Sequence, residues 1–224
     1  MLEFSNARCK IERARTHIAE LERLVSGHIA NNPILYEQGP GTRSGDGYVA
    51  TPGITIPALP RDVSVILGDI IHNARTSLDL LASEMARANG KSDSNVYFPF
   101  GRGVEHLDAM ISDRRFNRCG AHAVALLKTF KPYTGGNSEL RALHDLDIVD
   151  KHRSLIPEAR IGGLVLDINY KTGGFNINQS SEYYFIFPPD CALSNREIVS
   201  ECRSLVSLCE SIIDAFSALN FPEQ

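Results

Sequence analysis

Leu67-Gly-Asp-Ile-Ile-His-Asn-Ala-Arg-Thr-Ser-Leu-Asp79 carries two patterns at once. At 100° per residue, Ile66, Leu67, Ile70, Ile71, Ala74, Leu78, Leu81, Ala82 and Met85 fill one broad face, which predicts an amphipathic helix over 63–88. Asp62 is its expected N-cap and Asn89-Gly90 its stop. The opposite stripe holds Asp69, His72, Asn73, Thr76, Asp79 and Ser83, with Arg75 at its edge. Short acceptors, an imidazole and an amide suit a packed polar seam better than an open surface, where longer Lys and Glu would be expected. A second helix, expected from Glu139 to Ile156 and stopped at Pro157, carries His144-Asp-Leu-Asp-Ile-Val-Asp-Lys-His-Arg153 and is the natural partner for that seam.

Outward from this pair, Ile11, Ala14, Ile18, Leu21 and Val25 step by three and four and predict a helix over 6–29. Residues 31–60 are rich in Gly and Pro and are expected to form a long loop, a lid or a surface excursion, within which 48–50 and 54–56 could pair. Val96-Tyr-Phe-Pro-Phe-Gly101 reads as an extended apolar plug lying across the helices. Short helices are expected over 104–112 and 121–130, joined by the basic run Arg114-Arg-Phe-Asn-Arg118. The period then changes to two. Residues 164–170, 175–177 and 183–187 alternate as strands of a three-stranded antiparallel meander over 162–188, with turns at 171–174 and 179–182. A last helix is expected over 194–219, capped by Ser194, with Ile198, Cys202, Leu205, Cys209, Ile212, Phe216 and Leu219 in heptad spacing. The fold class is α+β and predominantly α: a helical bundle over 6–157, a small sheet and a closing helix in a single domain.

With 224 residues, 43% of them apolar, the chain is long enough to bury a real core. The net charge of −4 gives no bulk attraction for nucleic acid or an anionic membrane, so such binding would need a local patch. No apolar run reaches the ~20 residues of a membrane span, and residues 1–10 lack a signal peptide's apolar core; the expected location is the cytoplasm, with no membrane partner. Cys9, Cys119, Cys191, Cys202 and Cys209 are odd in number and form no Cys-x-x-Cys pair, so they are expected as free thiols.

Three readings fit the polar stretches. In a metal-independent acid–base site, His72 and His152 carry protons, Arg75 and Arg153 stabilise the charge of a phosphate-bearing ligand such as RNA, and Asp69, Asn73, Asp79, Asp150 and Lys151 bind and orient. No cofactor is called for. In a metal-dependent hydrolase, Asp69 and His72 from one helix and His144 and Asp147 from the other become ligands. In a non-enzymatic structural or oligomerising protein, pairs such as Arg75–Asp79 and Asp147–Lys151 only fix helix register, and the terminal helices offer a homodimer contact.

Gly68-Asp-x-x-His-Asn-x-Arg-x-x-Leu-Asp79, Phe98-Pro99 and Asp150-Lys-His-Arg153 resemble the shared landmarks of an uncharacterised family of bacterial and phage-borne helical proteins, over roughly residues 60–157. That resemblance implies no activity. More faintly, the long helices and grouped Asn, Arg and His resemble HEPN domains, whose members include metal-independent ribonucleases that act as dimers. The HEPN signature, an arginine usually followed by a polar residue and then a histidine four to six positions on, is matched in spacing by Arg23 and His28, with Leu24 after the arginine and Gly27 between.

Overall fold

In the computed structural model, residues 3–37, 42–44, 47–49, 53–153, 155–162, 166–169, 174–177 and 182–219 are described. The chain is α+β and mostly helical, and helix α2 (Arg61–Ala88) is its axis. Its apolar face is buried from Val63 to Ala86, with Leu67, Ile70, Ile71, Leu78 and Leu81 fully enclosed. Each such side chain contributes about 1.5–3 kcal/mol by leaving water. Helix α1 (Ser5–Asn31), helix α5 (Ser138–His152) and helix α6 (Ile198–Ser217) all pack on it. Pro60 rather than Asp62 stands at the N-cap; Asp62 lies in the first turn, where its charge still meets the positive end of the helix.

The start of α1 has no side-chain cap of its own, and α2 supplies one: the Glu84 carboxylate accepts from the backbone N–H of Asn6 and Ala7 and from the Asn6 side chain. The apolar stripes of α1 and α6 are buried within the chain, and Arg8–Asp214, Arg15–Glu210 and Arg203–Glu22 ion pairs bridge their outer edges. Exposed pairs of this kind contribute about 0.2–1 kcal/mol each, so the apolar contact carries the packing. Helix α6 begins at Ile198, later than the expected Ser194, because residues 192–195 form a turn, with Asn195 at φ 65°, and Phe187 N–H donates to Arg196 O while Ile186 bridges an extended Glu197. Glu197 takes the capping role, accepting from Val199 and Ser200 N–H.

The expected plug is present. Val96, Phe98, Pro99 and Phe100 are buried, and Phe98 meets both Phe100 and Phe116 ring to ring. A short 3-10 turn (Val104–His106) leads into helix α3 (Leu107–Asp113), followed by a second (Phe116–Cys119) and helix α4 (Ala121–Thr129). In the basic run between them, Arg115 and Arg118 donate to the carbonyls of Ser92 and Ser94 and tie down the loop before the plug. Burial pushes the thiols of Cys119 and Cys209 up to about 12 and raises that of Cys202 further. Of the five cysteines only Cys9 is exposed, with Cys191 half-buried. A thiol reagent at pH 8 should therefore label Cys9 at once and Cys191 slowly, and reach the other three only in denaturant; three or more fast thiols in the native protein would contradict this core.

Where a loop was expected over 31–60, two antiparallel ladders nest: β1 (Leu35–Glu37) with β4 (Gly53–Thr55), and inside them β2 (Thr42–Ser44) with β3 (Gly47–Val49). The three-stranded meander is corrected in the same way. Glu158–Ile161, not foreseen as a strand, forms β5 and pairs with β8 (Tyr183–Ile186), while β6 (Leu166–Asn169) pairs with β7 (Gly174–Ile177), giving two nested two-stranded ladders. Of the expected turns, residues 171–173 and 179–181 lie outside the described residues, as does Ser154. Both nests are rooted at one end of the bundle, where Tyr183 Oη donates to Asn32 O and His28 lies against Phe185.

Candidate functional site: a histidine–aspartate pair on the α2–α5 seam

Helices α2 and α5 approach closely because position 68 has no side chain. A Cβ there would lie 2.3 Å from Asp150 Oδ1, so the Asp150 carboxyl rests on the backbone of α2. One turn on, the seam opens to solvent around His72. Asp147 is 4% exposed, and its two oxygens are both engaged: Oδ1 accepts from His72 Nδ1 at 3.0 Å, Oδ2 from Lys151 Nζ at 2.5 Å. The His72 side chain is 50% exposed. A carboxylate only accepts, so the ring proton facing Asp147 sits on Nδ1 and the Nε2 lone pair is left toward solvent, where Thr76 Oγ1 approaches at 3.4 Å. This is the arrangement in which a buried acid orients a base.

Three further groups frame it. Burial, with the charges of Asp147 and Asp69 added, raises the Asp150 carboxyl above the usual aspartate range. Asp69 is exposed on the same outer stripe. Asn73 donates to the carbonyl of Asp69 at 2.7 Å and accepts from Lys10 Nζ of α1 at 3.1 Å, so α1 contributes a cation to a face that the sequence assigned to two helices.

The other nominated residues go elsewhere. Arg75 is not a free charge stabiliser: its side chain is 10% exposed, with the guanidinium 4.5 Å over the Phe100 ring. Its Nη1 lies 2.8 Å from Asp79 Oδ1 but off the hydrogen-bond line, which leaves that proton without an aligned acceptor. Asp79 also accepts from Phe98 N–H at 3.0 Å. Arg75 and Asp79 thus bind the plug to α2. His152 is exposed at the last turn of α5, and Arg153, already in extended backbone, stands 3.8 Å from Asp190 on open surface. The helix ends at His152, four residues before the expected boundary, and the wheel sets His152 about 140° from Asp147.

Nor do the four residues of the metal reading converge. His144 stacks on Phe100 at 4.4 Å and 7°, with its Nδ1 accepting from Arg75 Nε at 3.5 Å, away from His72. Among the described residues no three His, Cys, Asp or Glu side chains are grouped to hold an ion. Compared with family models, curated proteins and solved structures, the chain matches none. Its chemistry must come from this geometry.

Burial, then the charges of Arg75 and Arg141, push His144 down to about 4 from an ordinary 6.5. The folded state therefore favours the neutral ring, and the unfolded chain takes up the proton first as pH falls. Stability from this group is complete above pH 6.5 and is lost between 6.5 and 4, by roughly 1–2 kcal/mol once the solvent reaching this partly exposed ring is allowed for. Urea midpoints of wild type and His144→Phe should diverge in that window, the variant losing less; parallel pH profiles would contradict the assignment.

Proposed function

We propose that the seam is a metal-independent acid–base site for a phosphate-bearing ligand, with RNA as the substrate class. One observation carries the reading: a buried carboxylate lies 3.0 Å from Nδ1 of a half-exposed histidine whose Nε2 faces the Thr76 hydroxyl at 3.4 Å. In the step proposed, His72 Nε2 takes the proton of a ribose 2′-hydroxyl. The 2′-oxygen attacks phosphorus, and the bond to the 5′-oxygen breaks as that oxygen takes up a proton. A 2′,3′-cyclic phosphate and a 5′-hydroxyl result. Asp150, which holds its proton to higher pH than an exposed aspartate, is the donor suited to the leaving oxygen. Lys10 and Lys151 replace Arg75 and Arg153 as the cations near the phosphate.

Asp69 opposes a polyanion from the same face. Asp69→Asn is expected to tighten RNA binding a few-fold, about 1 kcal/mol or less, with the gain fading as salt is raised. No helix among the described residues is long and apolar enough to cross a membrane, and the proposal sets the activity in the cytoplasm, where RNA is available. A homodimer through α1 and α6 would use their outer faces.

Labelled single-stranded RNA incubated with protein purified in chelator tests the proposal. Cleavage that leaves cyclic-phosphate ends and persists in chelator is expected; cleavage abolished by chelator, or neither binding nor cleavage, would overturn it. A second reading has its own support: both Asp147 oxygens are satisfied, as a clamp fixing the α2–α5 register would require. It predicts that loss of His72 costs stability rather than turnover.

A further inference from the structure

At the end of the bundle where both β nests are rooted, a cavity of about 670 Å³ opens between the 56–60 segment, the first turns of α2 and the 156–159 segment. Most of the side chains that line it are apolar, Ile56, Leu59, Val65, Ile156, Pro157 and Phe185 among them. Two of these are conspicuous on a folded chain, since Val65 is 63% and Ile156 67% exposed. Exposed branched aliphatics gathered at the mouth of an apolar hollow mark a surface that something covers. Polar groups are few. Ser64 is one, and Arg61, exposed at the rim, is the one charged side chain among the described residues of the lining.

A hollow of that volume with a single rim cation fits a ligand with an apolar body and one negative end. A second cation or a ring of carboxylates would favour other chemistry, and neither is found among the described residues of the lining. We propose that this cavity binds a long-chain carboxylate of fatty-acid type, with the alkyl chain against Ile56, Leu59, Val65 and Ile156 and the carboxylate paired with Arg61. The site lies two turns from His72 along α2: Val65 and His72 are seven residues apart, about 10 Å by helical rise. It does not depend on the ribonuclease reading.

The test uses the full chain and a fluorescent polyene fatty acid, displaced by dodecanoate below its micelle concentration. One saturable site per chain is expected, with dodecan-1-ol at least tenfold weaker than dodecanoate. Arg61→Gln should weaken dodecanoate about tenfold and leave the alcohol unchanged. Ala58→Trp, which fills the mouth from an exposed position, should abolish both. Equal affinity for acid and alcohol, an unaltered Arg61→Gln variant, or no saturable binding would overturn the proposal. So would self-association of the wild type that Ile156→Asp abolishes, since a second copy would then be what covers the cavity.

Discussion

His72→Ala is expected to lower RNA cleavage by about 10²–10⁴-fold, the range a positioned general base contributes, while leaving the unfolding midpoint nearly unchanged. The ring is half exposed, so its removal creates no core cavity and should cost well under about 1 kcal/mol of stability. His72→Gln should be as inactive, because an amide placed near Asp147 can donate a hydrogen bond but cannot carry the proton. Asp147→Asn is the informative companion. Its amide can no longer demand a proton on Nδ1, so activity should fall even though the side chain keeps its shape. A His72→Ala enzyme that keeps its rate, or one that unfolds without cleaving anything less well per folded molecule, would leave the clamp as the account of this pair.

The largest stability effect is expected at Asp79. Asp79→Ala removes the counter-charge of a buried Arg75 and the acceptor of the Phe98 N–H in one step, and should cost about 3 kcal/mol. Asp79 is itself partly exposed, which lets water reach the vacated site and keeps the loss below the upper end for buried pairs. The plug should loosen with it, since Phe98 and Phe100 are held to α2 through this pair. Combining Asp79→Leu with Arg75→Met should restore more than half of the loss, because no charge is then left buried. Urea unfolding monitored by far-UV circular dichroism reads both effects; a loss below about 1 kcal/mol for Asp79→Ala would show that Phe100 alone holds the guanidinium.

The helices were legible because burial imposes a period that local composition repeats for six or seven turns, as in α1 and α2. The plug was legible too, since Val96-Tyr-Phe-Pro-Phe100 is too apolar to face water and too short for a helix. The strand pairing was not. Residues 158–161 have a weak alternation, and their partner β8 is more than twenty residues away, so only the closed ladder identifies them. The first nest was hidden similarly, by Gly and Pro that mark turns as readily as they mark a loop.

At the site, spacing on one helix placed Asp69, His72 and Asn73 together, and the facing helix supplied Asp147, Asp150 and Lys151. What spacing could not settle was depth. Arg75 sits only 60° from His72 on the wheel, yet it points inward to Phe100 while His72 points out. Lys10 was missed because periodicity does not say which helix flanks which stripe. Gly68 was the available signal: a glycine inside a strongly helical, apolar pattern implies a close neighbour, and the neighbour is Asp150.

The claim on which the chemistry rests is that Asp147 holds the His72 proton on Nδ1 and leaves Nε2 as an open base. Two-bond nitrogen–proton correlation spectra of labelled protein near neutral pH report the tautomer of each histidine directly. A neutral His72 with a protonated Nδ1, converted by Asp147→Asn to a mixture or to the other tautomer, is the result expected. A His72 protonated at Nε2 in the wild type, or one whose tautomer is indifferent to Asp147, would contradict it.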